Sequence, residues 1–175
     1  MSLDISGNVF TEFPYDALEK LEKLRKLDIS RNQIVQIDAD KWKAFRGLQL
    51  LDLSSNRLTE FPLCVRNCKS LKILRLIKND IKSIPDEYFE SKNKHKDVLQ
   101  ELNLNSNQNL EKLNVKIKEL TKLKVLGISY TKLTHIPEEI ADLIDLVQLY
   151  CYGTPLVEPN MTLASQGTKA IKKYF

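Results

Sequence analysis

Three cysteines, two histidines and five glycines in 175 residues leave little room for several common chemistries. An odd cysteine count gives no disulfide framework. Cys64 and Cys68 are spaced like half a metal site, but no second pair or nearby histidine completes it. His95 and His135 fall in different contexts. No GxSxG, HExxH or phosphate-binding loop occurs, so neither catalysis nor a cofactor is expected. Apolar runs are too short to span a bilayer, and the start, Met1-Ser2-Leu3-Asp4-Ile5, lacks the apolar stretch of a secretory signal. The formal charge of +4 is spread over many lysines. That balance does not point to nucleic acid or membrane. The expected location is cytoplasmic.

What the chain does have is a repeat. Leu24, Leu27, Ile29, Asn32, Ile34 and Ile37 set a pattern, LxxLxIxxNxIxxI, that returns along the sequence. Leu48, Leu51, Leu53, Asn56, Leu58 and Phe61 repeat it, as do Leu71, Leu74, Leu76, Asn79, Ile81 and Ile84. Further copies run from Leu99 to Asn107 and from Leu123 to Ile136. A partial copy opens the chain, and a weakened one, Leu146 to Leu156, closes it. The asparagine-type positions are 8, 32, 56, 79, 107, 131 and 154, at intervals of 24, 24, 23, 28, 24 and 23 residues.

Period-2 alternation in Leu27-Asp28-Ile29 sends Leu and Ile inward and Asp outward. One repeat cannot bury its own apolar row, so the rows must stack into a continuous core. Truncating Leu27, Leu51 or Leu74 to Ala is expected to cost about 2–5 kcal/mol. The asparagine has a separate job. Past the strand the chain turns, and buried backbone groups there need partners. A carboxamide both donates and accepts, so stacked asparagines can satisfy successive turns. Thr131 and Thr154 offer only a hydroxyl, and a looser ladder is expected toward the C-terminus.

Phe61-Pro62, Ile84-Pro85 and Ile136-Pro137 mark where strand pairing stops and a return arc starts. Ala17, Leu18 and Leu21 suggest a short helix after Pro14. Trp42 and Phe45 are expected to fill the core of the outer side. The fourth interval holds about four extra residues between Asp86 and Asp97; Lys92, Lys94, His95 and Lys96 make it basic and solvated. If that stretch bound nucleic acid or phospholipid, affinity would fall steeply with salt. A bulge is expected at Asn107-Gln108-Asn109-Leu110, where the apolar residue arrives one place late. The first repeat begins in mid-motif, which suggests a neighbour before it.

This pattern is identified as that of the leucine-rich repeat superfamily, from Leu3 to about Leu156. The phrase Ile136-Pro137-Glu138-Glu139-Ile140 resembles intracellular members of the Ras-suppressor and plant Ras-group type. The ending, Gly167 through Ala170, Ile171, Tyr174 and Phe175, is similar to the tail that closes repeat arrays in those families and in Roco proteins, where a GTPase domain follows. The resemblance implies an α/β fold: a right-handed solenoid with a concave parallel β-sheet and an irregular or short-helical convex side. It also implies protein binding and no catalysis. The expected division is a solenoid of about seven repeats over 1–163, first and last incomplete, then an amphipathic capping helix over 164–175. Ala170, Ile171, Tyr174 and Phe175 would share the covering face.

The alternation also lists the side chains on the sheet's outer face. Its N-terminal third is an Asp/Ser ladder of structural character. Beyond it, Ile73, Arg75, Ile77, Lys78, Val125, Tyr130, Tyr150 and Tyr152 form the candidate partner-binding set, because interfaces favour Tyr and Arg with apolar anchors. The competing reading is that the tyrosines only cover the last coil beneath the terminal helix. The expected function is a protein-interaction module. The alternative is the recognition domain of a larger regulatory protein, such as a Roco-type GTPase, a kinase or a bacterial effector.

Overall fold

The computed structural model describes residues 1–39, 41–42, 45–90 and 97–175. The basic stretch holding Lys92, Lys94, His95 and Lys96 lies outside these. Seven three-residue strands, β1 (Ser2–Asp4), β2 (Lys26–Asp28), β3 (Leu50–Asp52), β4 (Ile73–Arg75), β5 (Glu101–Asn103), β6 (Val125–Gly127) and β7 (Gln148–Tyr150), pair in parallel in chain order. The register aligns Leu3, Leu27, Leu51, Leu74, Leu102, Leu126 and Leu149. These leucines and the Leu or Ile two places later (Cys151 in coil 7) point away from the outer face. From Leu27 to Ile128 both rows are fully buried. Each repeat is one coil of a solenoid, and coil n carries strand n.

Pairing between coils continues beyond the strands. Ile5 N–H donates to Asp28 O (2.9 Å) and Gly7 N–H to Ser30 O (2.9 Å), and the same two bonds recur up to Tyr130 N–H to Tyr152 O (2.8 Å). To turn the chain after this point, each coil places one residue in the left-handed region. These are Gly7, Arg31, Ser55, Lys78, Ser106, Tyr130 and Gly153, with φ between 54° and 66°.

The next residue carries the ladder. Asn56 donates from Nδ2 to Leu53 O of its own coil (3.0 Å) and to Ile29 O of the preceding coil (3.1 Å), and its Oδ1 accepts Ile34 N–H (3.0 Å). Asn32, Asn79 and Asn107 make the same three kinds of bond. So the carbonyls of Ile29, Leu53 and Leu76 each receive two amide protons. The pattern breaks after coil 5. Thr131 has one proton and gives it to Ile128 O of its own coil (2.9 Å), and Thr154 gives its proton to the same oxygen (3.0 Å). Among the described residues Leu104 O therefore keeps only the bond from Asn107. The thinning expected from two threonines is present and lies between coils 5 and 6. The late Leu110 is accommodated by a turn, closed by Leu110 N–H to Asn107 O (3.0 Å), so it stays buried without a change in strand register.

The return arcs are short. Helix α1 (Tyr15–Leu18) follows Pro14, with Leu18 buried but Ala17 exposed. Pro62, Pro85 and Pro137 each precede a 3-10 turn: Leu63–Asn67, Asp86–Phe89 and Glu138–Asp142. Trp42 and Phe45 are buried in the core as expected, their rings 4.6 Å apart, with Phe13 4.7 Å from Trp42.

At the C-terminal end, α2 (Met161–Ala164) and α3 (Thr168–Tyr174) close the array, with α3 packed against the Glu138–Asp142 turn. Thr168 Oγ1 accepts Leu149 N–H (2.8 Å), which satisfies a donor on the outer edge of β7. Lys172 Nζ donates to Leu143 O (2.6 Å). Ile171 is buried, but Tyr174 and Phe175 stay 48% and 39% exposed. The covering face is thus narrower than the sequence suggests. Tyr174 reaches out to Glu158 (3.0 Å), and its ring packs on Phe175 instead of the core.

Replacing Asn79 by Ala strands one buried N–H and removes a donor from two carbonyls, so it should cost at least about 3 kcal/mol. Thr131→Asn supplies the missing proton to Leu104 O and should stabilise by about 1 kcal/mol. Urea unfolding midpoints at unchanged slope measure both.

Candidate functional site

The outer face of the sheet is built from the residue between the two inward rows, its neighbours on either side, and the left-handed position. Each coil must satisfy one more N–H there, that of the residue two places past the central column. In coils 1 to 3 the central aspartate does so: Asp4, Asp28 and Asp52 Oδ1 accept from Ser6, Ser30 and Ser54, each at 2.9 Å. In coil 5, Asn103 Oδ1 accepts from Asn105 (3.1 Å). Arg75, Gly127 and Tyr150 cannot accept. There the preceding coil supplies the oxygen: Ser54 Oγ for Ile77 N–H (3.2 Å), Asn105 Oδ1 for Ser129 N–H (2.7 Å), and Ser129 Oγ for Tyr152 N–H (3.0 Å). The Asp/Ser ladder is therefore a set of internal acceptors. At Asp4 the hydrogen bonds from Ser6 hold the carboxyl below its ordinary pKa.

The candidate residues do not form one patch. Ile73, Arg75, Ile77 and Lys78 lie on coil 4, Val125 and Tyr130 on coil 6, and Tyr150 and Tyr152 on coil 7. Coil 5 separates the groups. Ile73, Ile77 and Val125 are half-buried. Arg75 is engaged within the sheet: its Nε lies 2.8 Å from Glu101 Oε1, and Nη1 lies 4.0 Å from Asp52 Oδ2. The hydrogen bond to Glu101 holds the guanidinium above its ordinary pKa. Arg75 thus closes an ionic group with an open trough of about 690 Å³ over it, lined among others by Asp28, Asp52, Arg75 and Glu101.

The tyrosines behave differently. Tyr130, Tyr150 and Tyr152 are 52%, 46% and 71% exposed. Tyr130 and Tyr152 meet edge to face at 5.6 Å. Tyr130 adopts φ 56°, a conformation that costs a residue with a Cβ roughly 1–2 kcal/mol. Its ring lies over Gly153, where a Cβ would come within 2.6 Å of two ring carbons. Two residues passed over in the sequence reading also matter. Asn103 and Asn105 lean over Gly127, where an added Cβ would meet their Oδ1 atoms at 2.5 and 2.8 Å. The signal was in the alternation, as two amides two places apart in coil 5 beside the one glycine between the inward rows.

The three thiols lie away from this face. Cys64, Cys68 and Cys151 are free and buried. Burial pushes the Cys68 thiol up to about 12 and raises Cys64 in the same direction. Cys68 Sγ instead accepts Trp42 Nε1–H (3.0 Å). Among the described residues no group of three His, Cys, Asp or Glu is placed to hold a metal, and no helix is long and apolar enough to cross a membrane.

A family model described as leucine rich repeat matches residues 1–58. The first third of the chain thus matches the leucine-rich repeat family, and the fold of the whole is that of solved leucine-rich repeat structures. Among solved structures it is similar to a leucine-rich repeat protein of Leptospira interrogans at 29% identity and TM-score 0.80, covering 94% of this chain and 40% of that one. It is also similar to the leucine-rich repeat ectodomain of the plant membrane receptor kinase GASSHO1/SCHENGEN3 from Arabidopsis thaliana, at 24% identity and TM-score 0.70, covering 89% of this chain and 18% of that one. An internalin from Listeria monocytogenes is 22% identical with TM-score 0.73, covering 89% of this chain and 42% of that one. The chain thus spans well under half the length of these leucine-rich repeat proteins. None of the curated proteins compared with it matches.

Gly127→Ala should cost about 1–3 kcal/mol, because Asn105 cannot yield without releasing Ser129 N–H. At neutral pH, Ellman's reagent should find Cys64 and Cys68 unreactive until denaturant exposes them.

Proposed function

We propose that the chain is a protein-interaction module that grips its partner on the concave sheet face, with the contact centred on coils 6 and 7. The observation that carries this is the cluster of three exposed tyrosines on a rigid sheet, with Val125 beside it. Tyrosine offers large amphipathic contact area at small entropic cost, and it is enriched where binding energy concentrates. Stacked coils also make extended surfaces suited to macromolecules. The Arabidopsis ectodomain was solved in complex with Casparian strip integrity factor 2, which shows what that protein's array binds. It sets a precedent for the fold and names no partner here.

On this reading coil 4 has a secondary role. Arg75 is held by Glu101 and Asp52, so Ile73, Ile77 and Lys78 contribute a flank. We also read the role as binding without catalysis and the location as cytoplasmic, on the buried state of all three thiols and the resemblance to intracellular families. The terminal tail's likeness to that of Roco proteins supports a second reading, in which this array is the recognition arm of a larger regulatory protein. The complete reading frame distinguishes the two.

Replacing Ile77, Tyr130 and Tyr150 by Ala together should weaken partner binding by about 100-fold, since each truncated anchor is worth roughly 1 kcal/mol or more. A pull-down and titration against wild type, with circular dichroism to confirm the fold, measures it. Unchanged affinity removes the proposal.

A further inference from the structure

Resting on that reading, we infer that the partner presents an uncharged, extended peptide segment whose backbone carbonyls meet Asn103 and Asn105 and whose apolar side chain sits among the three tyrosines. The sheet face is divided. Coils 2 to 4 carry Lys26, Asp28, Asp52 and Arg75, and Glu101 at the edge of coil 5 turns back to Arg75. From Asn103 onward the sheet-facing columns hold Asn, Ser, Gly, Gln, Val and Tyr and no charge. A charged group buried against such a surface would lose its water with no counter-ion in return, so the surface selects a neutral segment. Tyr, Ser, Gly and Asn together are also the residue types of adaptable binding loops, where rigid rings supply area and small polar groups supply hydrogen bonds.

The polarity of the hydrogen bonding is fixed as well. Asn103 Oδ1 accepts Asn105 N–H and Asn105 Oδ1 accepts Ser129 N–H, so neither amide can be flipped. Both residues are half-buried, and their Nδ2 groups have no acceptor among the described residues. Two donors therefore project from the floor of the face. A backbone carbonyl is the neutral acceptor they fit. Neighbouring coils are about 4.8 Å apart, so coil 5 to coil 7 is about 10 Å, the span of roughly three extended residues. A carbonyl over coil 5 places a side chain about three residues away at Tyr130, Tyr150 and Tyr152. Tyr130 is already pinned there, by its left-handed backbone, by Gly153 beneath its ring and by the edge of Tyr152.

Aspartate already performs the backbone duty of Asn103 in coils 1 to 3. Asn103→Asp therefore preserves the fold while it deletes a donor and adds a charge. The probe is a random peptide library displayed on phage and panned against the whole chain, with selected peptides then titrated by fluorescence anisotropy. Selected sequences should be uncharged across a stretch of a few residues that includes an apolar or aromatic side chain. Their affinity should be flat with salt, fall at least about tenfold with Asn103→Asp and with Tyr150→Ala, and not change with Asp28→Asn. Peptides that require Tyr150 but carry charge, weaken with salt or tolerate Asn103→Asp overturn this inference and leave the proposed function standing. Peptides indifferent to Tyr150 sink both, whereas no selected peptide at all overturns this inference alone and leaves the proposed function to the triple-variant titration. Binding found only with neutral oligosaccharides on a glycan array assigns the donors to sugar hydroxyls and likewise overturns the peptide.

Discussion

A buried carbonyl at the exit of every strand is the constraint on which this molecule depends. The chain must leave the sheet and turn through the core's edge, and there it has no helix or strand partner for its polar groups. An asparagine amide answers that need in both directions at once. It donates to two carbonyls in neighbouring coils and accepts an N–H from the coil before. Because each amide bridges two coils, the ladder also fixes how far one coil rotates against the next. Hydrophobic burial supplies most of the stabilisation and decides which face of each strand turns inward. The ladder decides which coil faces which.

That same constraint limits where the surface is free to serve a partner. In the first three coils the central aspartates take backbone N–H groups, so residues that look like an acidic binding stripe are part of the scaffold. Arg75 breaks the series. It cannot accept, and the preceding serine takes over its duty while the guanidinium ties Asp52 to Glu101. From coil 4 onward the acceptors change from carboxylates to hydroxyls and amides. Past coil 5 the face loses its charge, and large aromatic side chains project without ion pairs. The division between an ionic half and a neutral aromatic half follows from how each coil meets one recurring backbone demand.

Much of this was legible in the residues. The intervals between asparagines, the period-2 rows and the Ile-Pro phrases placed every strand and the register between strands, since a one-residue slip would expose a whole leucine row. The threonines at 131 and 154 announced a weaker ladder. The terminal tail was legible only in part. Ile171 covers the core as its spacing implies, whereas Tyr174 and Phe175 do not, because a polar bond to Glu158 and mutual ring packing draw them outward.

The sequence by itself determined the number of coils, the apolar spine and the list of side chains on the sheet face, because alternation and periodicity are local properties of the chain. Only the tertiary structure decided which of those side chains are available. Whether Arg75 is a free cation or a tied one, whether Asn105 serves Ser129, and whether Tyr130 rests on Gly153 depend on contacts between coils more than twenty residues apart. No pattern within one repeat records those contacts, since each is made by the stacking of one coil on the next.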